Sequence, residues 1–296
     1  MSATRWYRIR FAGVSVGLRL DHPPAIPLVE HVLGDARVRG SGDPDVILRI
    51  EPAARADEAI VSRGRQRLYK GECNGALALA LLDHTVRALV EGARRGLVLH
   101  AGAVATKGNA VLLPGATGAG KTTLTAWLIG RGFEYLTDEL VFLRDRSLLC
   151  EPFRRALNVK QRGGPALAGI LKLDSPEAAL KSPHGYLVAP PRRRRAAGAA
   201  RARTILFPRF DPGAEFSLRA LPPGECALRL MSALINTRLR RDRGFSAVTH
   251  LAKACPAYAL SYSHVDQLVR HGAEIDAAAG LARSARRRPA ATVAWR

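Results

Sequence analysis

The chain has 296 residues, 47% of them hydrophobic and 24% charged, the composition of a globular protein with one large core or two modest ones. Lys and Arg outnumber Asp and Glu by 46 to 25, a formal net charge of +21 that favours acidic partners. Aromatic residues make up only 6% and are not interleaved with basic ones, which argues against a reader of single-stranded nucleic acid.

No run approaches the roughly 18 consecutive apolar residues of a membrane span. The N-terminal MSATRWYRIRFAG lacks the apolar segment of a secretory leader. Cys73, Cys150, Cys226 and Cys255 are too scattered for a zinc site or a disulfide framework and are expected as buried free thiols. The expectation is a cytoplasmic protein with no membrane partner, and with nucleic acid unlikely as a partner on charge alone.

In chain order, residues 5–19 alternate as a hairpin turning near Gly13, and 27–37 have a helical pattern after a Pro-rich entry. Strands are expected over 45–50 and, as a pair turning near Gly64, over 58–71. A long helix over 76–96 ends in basic residues and Gly96. Residues 1–95 therefore form a small α+β unit with no catalytic spacing among its polar residues.

From Leu97 the pattern becomes strand, strand, helix, strand: 97–106, 109–115, 122–132 and 134–145. That is the order of a nucleotide-binding α/β domain, spanning 96–280. A connecting region over 150–203, rich in Pro, Gly and Arg, has a helix near 176–181 and a mobile PPRRRRAAGAARAR run at 190–203. A strand over 204–210, helices over 222–241 and 244–255, a strand over 256–264 and a helix over 265–275 follow. The basic tail, 281–296, is expected to be disordered.

Gly115-Ala116-Thr117-Gly118-Ala119-Gly120-Lys121-Thr122 matches the phosphate-loop pattern G-x-x-x-x-G-K-[ST] at every fixed position, between an apolar strand and an apolar helix. The glycines let successive backbone N–H groups converge on phosphate oxygens, and the helix that follows adds its free amides and positive dipole end. Lys121 reaches the β- and γ-phosphates, Thr122 offers its hydroxyl to Mg²⁺, and Thr123 continues the cradle. The bound cofactors expected are ATP and Mg²⁺.

Asp138-Glu139 interrupts the apolar strand region after the loop's helix, and two acids beside a metal–phosphate cluster can divide the work of base and metal ligand. His100 lies on the strand preceding the loop strand.

LHAGAV (99–104), GATGAGKTTL (115–124) and RGFEYLTDELV (131–141), in this order and at this spacing, resemble the HPr serine kinase/phosphorylase catalytic domain and, more closely, the HPr-kinase-related proteins of bacteria. PFRRALNVK (152–160), ALPPGECALRLMSAL (220–234) and YALSY (258–262) extend the resemblance over roughly 95–275. It implies an α/β P-loop kinase domain of the HPr kinase/phosphoenolpyruvate carboxykinase type, here preceded by the small α+β N-terminal domain.

The resemblance further implies ATP-dependent phosphorylation of a serine hydroxyl on a protein or peptide, in an oligomeric enzyme. Asp138 would be the base, Glu139 the second acid and a metal ligand with Thr122, and His100 the histidine near them. Lys121 would take the phosphate position. The chain departs from the family in having Asp138-Glu139 in place of two aspartates. Asn158-Val159-Lys160-Gln161-Arg162-Gly163 stands in the region of the family's Glu-Ile-Arg-Gly signature and has no Glu.

Three alternatives stay open: a small-molecule acceptor such as free serine, an ATP-gated maturation partner without transferase activity, and nucleic-acid binding through the basic surface. In the kinase reading the arginine run at 190–203 would recognise the peptide and order on binding.

Overall fold

The computed structural model describes residues 4–40, 42–144, 147–160, 167, 170–171, 179–239 and 242–280. The protein is a mixed α/β structure, and the described residues form three sheets.

The first sheet is built from β1 (Arg5–Phe11), β2 (Val14–Leu20), β3 (Val46–Pro52), β4 (Glu58–Arg63) and β5 (Gln66–Glu72), in that order. Ala12 and Gly13 both take positive φ, 51° and 82°, the backbone of a two-residue hairpin turn matched to strand twist. Helix α1 (Ile26–Leu33) carries the chain from β2 to its parallel neighbour β3.

Alternate residues of β1 and β2, among them Tyr7, Ile9, Val16 and Leu18, point inward and are buried with the apolar residues of α1 and α2 (Gly75–Gly92). Asn74 caps α2, its side chain accepting from the Ala76 amide at 2.8 Å.

The second sheet has eight strands: β6 (Leu97–Thr106), β7 (Asn109–Pro114), β8 (Glu134–Thr137), β9 (Leu140–Leu143), β10 (Leu149–Glu151), β14 (Ala200–Phe210), β15 (Ser217–Leu221) and β16 (Ala257–Tyr262). Its order is β10-β9-β6-β7-β14-β16-β15, with β8 also paired to β6 and with β10 curling round to meet the start of β14. The third sheet is small: β11 (Leu157–Lys160), β13 (Gly185–Val188) and β12 (Ala179–Ser182).

Period-two alternation assigns the two faces of the large sheet to different helices. Val111 and Leu113 pack with α3 (Lys121–Gly130), α6 (Val265–Arg270) and α7 (Gly272–Ala278). Ala110 and Leu112 pack with α4 (Pro223–Ala233) and α5 (Phe245–Ala254). The core of the N-terminal sheet is continuous with Val98, Leu140, Phe142 and Phe153.

Contact between the first 95 residues and the later chain extends to backbone. A Cβ on Gly75 would lie 1.7 Å from the Lys181 carbonyl, so only glycine lets the start of α2 sit against β12.

Several expectations change. The helix expected near 176–181 is strand β12 over its described part, and 176–178 lie outside the described residues. The 190–203 run is built rather than mobile. Arg192–Arg194 form one 3-10 turn, Arg194 donates to the Gly132 carbonyl at the end of α3, and Arg195 pairs with Asp35 and the Pro190 carbonyl. From Ala200 the segment is already strand β14.

The helix expected over 222–241 ends at Ala233. Leu234 turns extended and bridges Leu99, and the buried Asn236 bonds the Val98 amide and the Ala93 and Gly96 carbonyls. Edge strand β15, five residues long and mostly exposed, gave no readable pattern. Cys150, Cys226 and Cys255 are buried free thiols, and Cys73 is half-buried. The tail at 281–296 lies outside the described residues. Among the described residues no helix is long and apolar enough to cross a membrane.

Candidate functional site

The loop of 115–120 leaves the end of β7, the central strand of the large sheet, and delivers Lys121 at the start of α3. Gly118 and Gly120 have φ of 88° and 92°, in the left-handed region that glycine enters without strain. At Gly120 space is closed as well, since a Cβ would lie 2.2 Å from the Tyr262 hydroxyl.

Lys121 is nearly buried and donates to three acceptors: Gly115 O at 2.8 Å, Ala116 O at 2.9 Å and His100 Nε2 at 3.0 Å. Burial, partly offset by Asp138 and Glu139, holds its ammonium below the usual lysine range. His100 is held below its ordinary range by burial and by Lys121 itself, so the ring is a neutral acceptor for the ammonium.

The chain between Thr137 and Leu140 explains how Asp138 arrives. Strand β6 pairs with β9 over Leu97–His100 and with β8 over Ala103–Ala105; the register shift lies within the β8 pairing, at Leu136, and Asp138-Glu139 form the two-residue step between β8 and β9. At that step the Ala101 amide bonds the Glu139 carbonyl, and the Asp138 side chain enters the protein. Asp138 is 3% exposed, its Oδ2 accepts from Thr122 Oγ1 at 3.1 Å, and its Oδ1 is buried without a partner among the described residues. Burial pushes its carboxyl up to about 6, with Glu139 adding to the rise and Arg155, Thr122 and Lys121 opposing it.

Glu139 is gripped by Arg155, with Nη2 to Oε2 at 2.6 Å. The Arg155 side chain is 2% exposed and also donates to the Ala156 carbonyl, while Tyr135 donates to the Arg155 carbonyl at 2.9 Å. Burial opposes its charge, but Glu139, Tyr135, Asp138 and Asp83 outweigh that and hold the guanidinium protonated more firmly than usual.

Sequence reasoning quoted Arg155 without giving it a role. Arg154 and Arg155 stand side by side between the apolar Phe153 and Ala156, and only the fold shows that the second is buried on Glu139. Lys160, at the end of β11, brings its ammonium within 3.8 Å of a Cβ position on Gly118, and its charge lowers the Lys121 pKa.

The structure thus brings two hydrogen-bonded pairs together at the loop, Lys121 with His100 and Thr122 with Asp138. Glu139 is turned to Arg155, and Lys160 adds a cation over the loop.

No family model matches the chain, and no curated protein matches it. Among solved structures it is similar to the Hpr(Ser) kinase/phosphatase from Coxiella burnetii. The identity is 9%, the match covers 60% of this chain and 98% of that one, and the TM-score is 0.30, a distant likeness.

The donor chemistry at the loop fits Mg²⁺. That ion is held through one or two carboxylates and phosphate oxygens rather than by a cage of protein ligands. The Thr122 hydroxyl is a hard oxygen donor of that kind, and Asp138, bonded to it through Oδ2, sets a carboxylate charge beside it. Among the described residues no group of three His, Cys, Asp or Glu side chains converges as a site for a metal held by protein alone.

Proposed function

We propose that the protein is an ATP- and Mg²⁺-dependent kinase that transfers the γ-phosphate to a hydroxyl, most readily a serine of a protein or peptide. The carrying observation is Asp138. It is a carboxylate buried beside the phosphate loop, tied to Thr122 through one oxygen and unpartnered at the other, with a pKa raised to about 6. A base whose pKa lies near the working pH transfers protons efficiently, and burying a carboxylate oxygen without a partner costs stability, a cost that a role for that oxygen would explain.

In this reading the amides of 116–122 and the ammonium of Lys121 bind the phosphate chain. To do so, Lys121 exchanges its carbonyl partners for phosphate oxygens while His100 keeps it aimed. Thr122, oriented by Asp138, would hold Mg²⁺, which when bound neutralises phosphate charge. Asp138 Oδ1 accepts the proton of the attacking hydroxyl, and Lys160 offsets charge on the loop's outer side. Glu139, held by Arg155, tunes Asp138 rather than touching the metal.

The Thr122–Asp138 hydrogen bond supports a second reading, in which Asp138 holds the metal and the protein binds ATP with slow hydrolysis and no acceptor. One assay separates the two: γ-labelled ATP with free serine, serine-containing peptides or water as acceptor. Label on a peptide or on serine, lost in Lys121→Ala, supports transfer. Label released only as inorganic phosphate supports the second reading, and retention of transfer in Lys121→Ala would remove the loop from the mechanism.

A further inference from the structure

The strand order places unlike chemistry on the two sides of the loop strand. On the β6 side stand His100, Lys121's partner, and the Asp138-Glu139 step. On the β14 side, at the same end of the sheet, stand Phe210 and Tyr262, paired across β14 and β16.

Tyr262 is fully buried and donates to the Gly120 carbonyl at 2.9 Å, and its hydroxyl also meets Thr123. The Phe210 amide donates to the Ala119 carbonyl at 3.0 Å. The Phe210 ring packs edge-on against Tyr262, with centroids 5.7 Å apart and planes at 67°, yet 43% of the residue is exposed.

A lone exposed hydrophobic side chain needs no explanation. Phe210 differs in being fixed from both sides to the loop that binds phosphate. A flat apolar ring, held rigid at the edge of a phosphate cradle and open on one side, is a stacking surface for an aromatic ligand. The charged groups on the β6 flank fix the reacting end of the phosphate chain there, so the other end leaves over β14.

We infer that Phe210 is the platform for the nucleotide's base, and that the ligand lies across the sheet edge from Phe210 to Asp138. This rests on the phosphate-binding reading of the loop and adds the subsite that distinguishes a nucleotide from a bare polyphosphate. Phe210 makes no contact with the transferred group, so its contribution is to affinity for the base.

The test measures binding of ATP and of inorganic tripolyphosphate, each with Mg²⁺, to the wild type, Phe210→Ala and Phe210→Trp. Phe210→Ala is expected to weaken ATP about five- to 150-fold, the equivalent of the ~1–3 kcal/mol of one stacked base, and to leave tripolyphosphate unchanged. Phe210→Trp is expected to restore ATP affinity and to show indole emission quenched by ATP and not by tripolyphosphate.

ATP affinity within twofold of wild type in Phe210→Ala overturns the base subsite while leaving the loop assignment standing. An equal fall for both ligands also overturns it, because Phe210 would then only brace the loop. Wild-type protein that binds neither ligand overturns the phosphate-binding reading and this one with it.

Discussion

The two flanks of the loop strand solve different problems with different residues. Toward β6 the structure accepts buried charge: Asp138 with an oxygen unpartnered, Arg155 locked on Glu139, and Lys121 with His100 in reach. Toward β14 it offers two aromatic rings, Phe210 and Tyr262, bound to the loop by two hydrogen bonds. Charge that is costly to bury belongs where a reaction develops charge, while a rigid aromatic surface suffices where a ligand is only held. Breaking the first flank should damage rate, and breaking the second should damage affinity.

The largest effect is expected from Asp138→Asn, which should keep nucleotide binding and lower the transfer rate by roughly 10²–10⁴, the range of a positioned base. Single-turnover transfer measures it, and a rate within tenfold of wild type would take the base role away.

The same variant should gain stability. The folded carboxyl holds its proton up to about pH 6 against 3.8 unfolded, so the native state binds the extra proton between those values. Stability contributed by this group therefore rises as pH falls from about 6 toward 3.8. At neutral pH the buried charge costs at most about 3 kcal/mol, which asparagine removes. Denaturant midpoints across pH 4–8 compare the two proteins, and a destabilised Asp138→Asn would contradict the assignment.

Next in size is Arg155→Met. Losing the buried guanidinium should cost about 3 kcal/mol, the low end for breaking a buried pair because Glu139 retains some solvent. Arg155 also opposes the rise of the Asp138 carboxyl, so its removal should move the acid limb of the pH–rate profile upward from about pH 6. An unmoved limb would make Arg155 structural only.

The smallest effect is expected at His100. His100→Ala deletes a hydrogen bond to a charged group and should lower transfer about tenfold or somewhat more. His100→Gln, which keeps an acceptor, should recover most of it. Equal losses in both would mean that the imidazole does more than aim Lys121.

The legible part of the molecule was local. The loop, the helix after it and the paired acids could be read because glycine, lysine and acid positions are set by geometry within a few residues. The hairpin at Gly13 and the strands of 58–71 followed from alternation and turn residues.

Arg155, Lys160 and Phe210 were opaque because each meets its partners through tertiary contacts: Glu139, Gly118 and Tyr262 lie 16, 42 and 52 positions away. The arginine run looked mobile by composition, yet Arg194 and Arg195 are consumed by Gly132, Pro190 and Asp35. Helix α4 stops at Ala233 because Asn236 is needed by three distant backbone groups, a demand invisible in its own segment.

The two-residue step between β8 and β9 has a consequence for how this protein can vary. Tyr135 and Leu136 before it belong to the cores on opposite faces of the large sheet. After it, Leu140 and Phe142 fill the N-terminal core while Val141 and Leu143 fill the core under α4 and α5. A single inserted or deleted residue would send each of the latter four into the other's compartment, because strand side chains alternate with a period of two. The spacing from Thr137 to Leu140 is therefore fixed more tightly than the residues that occupy it, and relatives should differ there by substitution and never by length.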